Sequence, residues 1–324
     1  MMILIPPGAR LAEPVVGGAM KRRAWRSLWI AALAVAAAAA LLEIVAAIRV
    51  RHLRAERAYL GGKLYVEVRG RGDPVVFLAG LPATTHFWQG AFDPLAKTHR
   101  LIFLDALGFG RSPLPAVDYT LEDHLGALRR TLVAQGATRR VTFIAHSFGT
   151  LLAAYYAARY PQEVEHLFLL GTPVFDGERE ARAHIREMSS MGGLFTLNPV
   201  LAREACKLHE ASPQPFLARV VPRFLPGVPP EVSREALLHT WRSFNGTLRN
   251  VVMRKPIAVP LSHIGPKVTF VHGRADPITT LERIQALAAA TGAGVLITED
   301  NHRSYPVRSA GRIIRRLAHC RSQE

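Results

Sequence analysis

Ser147 combines a reactive group with a spacing that suits chemistry. It stands in Ala145-His146-Ser147-Phe148-Gly149, directly after the apolar run Val141–Ile144 and before Thr150-Leu151-Leu152-Ala153-Ala154, which reads as a helix. Small residues two before and two after a serine permit a strained strand–turn–helix connection. Strand and helix then approach closely, and the hydroxyl is lifted clear of the sheet. The following helix aims its amino terminus, and the Phe148 backbone N–H, at an anion forming there. Ser-x-Gly recurs at Ser190 and Ser309, but Met188 and Val307 hold the position two before those serines.

Three further segments supply partners for that hydroxyl. The run Val75–Leu78 ends in Ala79-Gly80-Leu81-Pro82, where a turn can point the Leu81 N–H at the same oxyanion. The run Val268–Val271 leads to Asp276, and Val295–Thr298 leads to His302. Both residues therefore fall in loops past strand carboxyl ends, where sites of open α/β sheets form. A serine hydroxyl is a weak nucleophile until a base takes its proton. His302 is the expected base, and Asp276 the group that orients its ring and stabilises the imidazolium. The chemistry expected is acyl transfer to water through an acyl-enzyme on Ser147. Asp176, after the run Leu167–Leu170, is the competing acid. His146, His272 and His86 also lie near these segments and read as packing or lining residues, and Asp105 as a loop-holding residue. Neither a clustered metal-ligand set nor a cofactor-binding segment is read from the spacing.

The elements that must hold these groups follow from the pattern beyond Lys63. Short apolar and β-branched runs alternate with helical stretches, which predicts a mostly parallel sheet flanked by helices, an α/β class. Seven strands are expected, at Leu64–Val68, Val75–Leu78, Leu101–Leu104, Val141–Ile144, Leu167–Leu170, Val268–Val271 and Val295–Thr298. Thr120-Leu-Glu-Asp123 reads as a capping box opening a helix whose face is Leu121, Leu125, Leu128 and Leu132. These segments, in this order, resemble the α/β-hydrolase fold superfamily over about residues 63–320. The resemblance places the nucleophile elbow on Ala145–Gly149, the oxyanion turn on Gly80-Leu81-Pro82, the acid loop on Gly273–Asp276 and the histidine on His302. Asp105-x-x-Gly108-x-Gly110-x-Ser112 is similar to another loop of that family. Ala145, Ala79 and Asn301 depart from the family's usual glycine, histidine and glycine, and none of them removes a catalytic group. The stretch from Pro173 to Pro266, far longer than a plain crossover, is expected to form a helical cap at about residues 173–266. It is rich in apolar residues such as Met188, Leu194, Phe195, Leu217 and Phe224.

The amino terminus has a different character. Residues 1–27 end in the basic Lys21-Arg22-Arg23-Ala-Trp-Arg26, and Leu28 to Ile48 is apolar apart from Glu43. As a helix, residues 28–48 reach about 31 Å, enough to span a bilayer core. A transmembrane signal anchor is the expectation. A cleaved signal peptide ending at Val45-Ala46-Ala47, or an alanine-rich soluble helix, would use the same residues. Four basic residues precede the run and four follow it, so the positive-inside count leaves orientation open. The catalytic part is expected to be separable from near Ala58.

Composition narrows the classes. With 49% hydrophobic residues the chain is not disordered, and two cysteines exclude a disulfide scaffold and a four-cysteine zinc site. The excess of 41 basic over 25 acidic residues is scattered, without a nucleic-acid-binding motif. An anionic membrane surface is the better partner for that charge. The sequence as a whole is read as a membrane-associated serine hydrolase acting on an ester or lipid, without nucleic acid and without a cofactor. Carbon–carbon or amide hydrolysis, acyl transfer on the same triad, and a non-catalytic binding protein are the alternatives.

Overall fold

The computed structural model describes residues 16–88, 90–188, 197–212, 230–264 and 267–321. Ser190 and the apolar residues Leu194, Phe195, Leu217 and Phe224 of the expected cap lie outside the described residues. The chain divides into two compact units, one ending at Val45 and one from Ala46 to Glu324.

Helix α1 (Val16–Glu56) carries the amino-terminal apolar run. Among the described residues it is the one helix long and apolar enough to cross a membrane. Trp25, Trp29, Ile30, Leu33 and Val35 are each more than 60% exposed. The second unit starts with the last turns of α1, where Ala46 is buried. Arg54 Nε donates to the Leu114 carbonyl at 2.7 Å and Arg57 Nη1 to the Ser112 carbonyl at 3.0 Å. The Arg49 guanidinium reaches the Ser212 carbonyl. The folded body thus includes residues amino-terminal to both Lys63 and Ala58.

All seven expected strands are present: β1 (Val66–Arg69), β2 (Asp73–Leu78), β3 (His99–Leu104), β4 (Val141–His146), β5 (Val164–Leu170), β6 (Val268–Gly273) and β7 (Gly294–Thr298). They form one sheet in the order β1-β3-β2-β4-β5-β6-β7, with β1 antiparallel to β3 and every other pairing parallel. The central strands read as unbroken apolar runs because both faces are covered. On one face pack α2 (Leu121–Ala134) and α3 (Phe148–Arg159), with Leu125, Leu128, Leu132, Phe143 and Leu152 in a common core. The capping box is formed. Thr120 N donates to Asp123 Oδ2 at 2.8 Å and Asp123 N to Thr120 Oγ1 at 3.2 Å. The other face is closed by an aromatic cluster of Phe77, Phe87, Trp88 and Phe92, joined by Ile313 and Leu317.

The described part of the segment between β5 and β6 is helical: α4 (Glu178–Met188), α5 (Pro199–Ala211), α6 (Pro230–Glu235), α7 (Trp241–Thr247) and α8 (Ala258–Ile264). The chain ends in α9 (Leu281–Thr291), α10 (Tyr305–Arg308) and α11 (Ala310–Arg321). Glu235 on α6 anchors the segment to the loops after β2 and β3. It accepts from Thr84 Oγ1, sits 2.8 Å from His86 Nδ1 and meets Arg111 at 3.4 Å.

Candidate active site

Strand β4 runs into α3 with a single residue between them, and that residue is Ser147. Its φ of 52° and ψ of −122° lie where residues bearing a Cβ are rarely found. The turn is held on both sides. Ser147 N donates to the Leu170 carbonyl at 2.9 Å, and Thr150 N returns to the Ser147 carbonyl at 2.9 Å. Gly149 must stay small, since a Cβ there would lie 2.4 Å from the Leu78 carbonyl oxygen. Ala145 stands in the sheet, fully buried, paired with Leu78 and Leu169. Its methyl is accommodated without disturbing the turn.

The segment Gly80-Leu81-Pro82 lies against this serine. An added Cβ on Gly80 would come within 2.7 Å of Ser147 Cβ and 3.3 Å of Ser147 Oγ. Leu81 is the next residue, and Ala83 N closes a turn onto the Gly80 carbonyl at 2.7 Å. Phe148 opens α3, so its N–H is one of the amides a helix leaves without an internal partner.

Asp276 and His302 are brought together from loops after β6 and β7. His302 Nδ1 lies 3.0 Å from Asp276 Oδ2 and 3.2 Å from Oδ1. Burial alone would raise the Asp276 pKa. Hydrogen bonds from His302, from the Ile278 N–H at 2.8 Å and from the Tyr305 hydroxyl at 2.7 Å outweigh it and hold the carboxyl down at about 2. Asp276 is thus an anion facing Nδ1, which leaves Nε2 of the ring for proton transfer. No hydrogen bond joins Ser147 Oγ to His302 in this structure, and such contacts commonly tighten only when substrate is bound. Gly171, at the end of β5, lets the pair close up. A Cβ there would lie 2.7 Å from Asp276 Oδ2 and 3.0 Å from His302 Nδ1.

Tyr305 belongs to this arrangement, although the sequence reading passes over it. Its hydroxyl donates to Asp276 Oδ2 and accepts the Gly273 N–H at 2.9 Å, tying the acid to its own loop. The available signal is its position three residues after His302. Asp300, fully buried, fixes the histidine loop through the hydroxyls of Ser304, at 2.7 Å, and Ser309. Ser309 is thereby committed to a structural bond.

The competing residues are placed elsewhere. Asp176 is exposed and paired with Arg283 at 2.8 Å. His146 is buried beside Phe87, its Nε2 2.8 Å from the His302 carbonyl oxygen, and burial holds its pKa well below the ordinary range. His272 is buried 2.8 Å from the Thr279 carbonyl oxygen. His86 meets Glu235 and Arg111. Asp105 is a loop hub, fully buried, accepting the N–H groups of Thr85 and Arg111 at 2.8 Å each. Burial pushes its pKa up to about 6 against those two bonds. The spacing gives no metal-ligand set, whereas the fold gathers Cys206, His209 and His239, with ligand atoms within 4.8 Å of one another.

A mostly parallel sheet covered on both faces, with a serine elbow after its fourth strand and an Asp–His pair at the ends of β6 and β7, defines an α/β-hydrolase-fold protein. The family model described as alpha/beta hydrolase fold matches residues 73–197. Among curated proteins, the chain is 32% identical over 118 residues to the cis-3-alkyl-4-alkyloxetan-2-one decarboxylase of Shewanella oneidensis, covering 36% of this chain and 37% of that protein. It is 32% identical over 121 residues to "Probable lysophospholipase BODYGUARD 3" of Arabidopsis thaliana, covering 35% of this chain and 24% of that protein. The chain spans well under half the length of these two relatives. Among solved structures, it superposes on an esterase from Exiguobacterium antarcticum with a TM-score of 0.58 at 19% identity, covering 79% of this chain and 94% of that one.

Proposed function

We propose that this chain is a membrane-associated serine hydrolase that cleaves a carboxylic ester through an acyl-enzyme on Ser147. The observation that carries the proposal is the Asp276–His302 pair, bonded at 3.0 Å, at the same sheet edge as a serine held at φ 52°. In this reading His302 Nε2 takes the Ser147 proton as Oγ attacks the ester carbonyl. Asp276, an anion among three donors, stabilises the imidazolium that results. The N–H groups of Leu81 and Phe148 meet the negative charge on the tetrahedral oxygen. The proton then passes from His302 to the leaving alcohol, and a water activated by the same ring releases the acid.

The oxetan-2-one named for the Shewanella relative is itself a cyclic carboxylic ester, which fits an acyl carbon as the point of attack. The exposed apolar length of α1 supports an anchor in a bilayer, where its side chains would be buried in lipid. That location favours a lipophilic ester. The test is covalent labelling by a fluorophosphonate probe together with a panel of esters graded by acyl-chain length. Wild-type protein should label and hydrolyse. Ser147→Ala should lose both while keeping its circular-dichroism spectrum, with turnover down on the order of a millionfold. Labelling that persists in Ser147→Ala would remove the assignment.

A further inference from the structure

We propose that Cys206, His209 and His239 form a zinc site that ties helix α5 to the turn between α6 and α7. Cys206 and His209 are three apart on α5, so they share a face. His239 comes from the turn between α6 and α7, and all three ligand atoms lie within 4.8 Å of one another. Cys206 Sγ and His239 Nε2 are 3.8 Å apart. A tetrahedral zinc, with Zn–S near 2.3 Å and Zn–N near 2.0–2.1 Å, holds such a pair roughly 3.5 Å apart. The separation therefore suits one ion between them.

The surroundings are arranged as they are around a ligating imidazole. His239 Nδ1 is 2.8 Å from the Ala236 carbonyl oxygen, which fixes the proton on that nitrogen. Nε2 is left with its lone pair toward Cys206, as in metal-binding histidines whose other ring nitrogen is held by a carbonyl. The His209 ring is held between two carbonyls, that of His239 at 3.0 Å and that of Ala205. A neutral imidazole has one N–H and can satisfy one of them. The other nitrogen points a lone pair at an oxygen, a repulsion relieved by turning toward a cation. A cavity lined by His209, His239, Glu210 and Arg49 borders the cluster.

An ion here would bind α5 to the turn after α6. That turn is already joined to the loop after β3 by the bridge between His239 and Phe109. Asp105 and Arg111 belong to the same loop, so the predicted effect of zinc is to stiffen the segment above it. This site is separate from Ser147 and His302, and its test reads binding rather than turnover.

The full chain, solubilised in detergent and stripped with a chelator, is titrated with Zn²⁺ against a chromogenic competitor. The expected result is one zinc per chain, raising the melting temperature. Cys206→Ser and His239→Gln should weaken binding by more than about 100-fold, since loss of a hydrogen-bond partner of a ligand alone costs about 10–100-fold. Cobalt substituted into the unmutated protein should show thiolate-to-cobalt charge transfer, which reports Cys206 without any variant. His302→Ala should bind zinc as the wild type does. Equal affinity in wild type and Cys206→Ser, absence of the thiolate–cobalt band, or loss of zinc in His302→Ala would overturn the proposal.

Discussion

Gly171→Ala tests whether the Asp276–His302 contact is the part of the site that matters for turnover. Gly171 has φ +54°, and a methyl there would stand 2.7 Å from both Asp276 Oδ2 and Tyr305 Cε2, and 3.0 Å from His302 Nδ1. An ordinary contact begins at 3.4 Å, so the acid must move away by about 0.7 Å. Neither contact is the loose end of a flexible chain, because Asp276 is held by three donors and Tyr305 is fully buried. Displacements approaching 1 Å in a catalytic geometry cost about 100-fold in rate, or about 2.7 kcal/mol. Gly292→Ala is the matched control. Gly292 has φ +72° with open space around its Cβ, so it pays the left-handed backbone penalty of about 1–2 kcal/mol and nothing else. Both variants are assayed for kcat/KM on a short-chain ester and for melting temperature. Gly292→Ala should lose stability and keep its rate. Gly171→Ala should lose both, with a further 1–3 kcal/mol or so of overpacking. A Gly171→Ala protein with wild-type kcat/KM would show that the close approach of Asp276 to His302 has no part in the reaction.

Other outcomes follow from the same contacts. Asp276→Asn should cut kcat by about 10⁴, because the ring then takes the wrong tautomer, while Asp176→Asn changes it little, as pH-rate measurements on both will show. Tyr305→Phe leaves the Gly273 N–H without its acceptor and removes one donor from Asp276, so it should destabilise by about 1–3 kcal/mol and lower kcat. Its acid behaviour has a definite sign. A carboxyl depressed from 3.8 to about 2 adds stability above pH ~4 that is lost as pH falls toward 2, and the variant should lose that stability at higher pH than wild type. Full-length protein should sediment with membranes and resist high-salt extraction, because a spanning helix is held by burial and not by charge. A chain starting at Ala46 should be soluble, active and more heat-stable than one starting at Ala58, and equal melting temperatures would show that the Arg49, Arg54 and Arg57 contacts contribute nothing.

The strands are legible because burial on both faces leaves apolar runs that no helix period explains; β2, β3 and β5 extend beyond those runs, to Asp73, His99 and Val164, and β1 starts later than its run. Leu64 was expected in β1, which starts at Val66. The amides of Leu64 and Tyr65 donate to Thr131 Oγ1 and Ser112 Oγ, at 2.7 and 2.8 Å, and not to a strand. The candidate residues Ser147, Asp276 and His302 stand out for a different reason. A serine elbow needs small residues at fixed offsets, and loops past strand ends have few places for an acid and a base. Residues that act through long-range contact carry no such mark. Tyr305 matters through a hydroxyl to Asp276, twenty-nine residues away in sequence, and His239 meets Cys206 across thirty-three. Neither spacing is set by one element, so only the fold reveals them.

The amino-terminal boundary shows how one pattern can conceal two environments. Helix α1 runs without a break through Val45 and Ala46, so helical periodicity has nothing to register there. Arg49, Arg54 and Arg57 read in the sequence as the charges that flank an apolar span. In the fold their guanidinium groups satisfy the carbonyls of Ser212, Leu114 and Ser112, two of which belong to the loop that follows β3. Arginine is suited to that use, because its fork of donors can reach a buried carbonyl while its stem lies on apolar surface. The same three side chains that read as flanking charges therefore cap a folded body. Loop positions carrying Asp105 and Arg111 are then braced from the amino terminus as well as from Glu235 on α6.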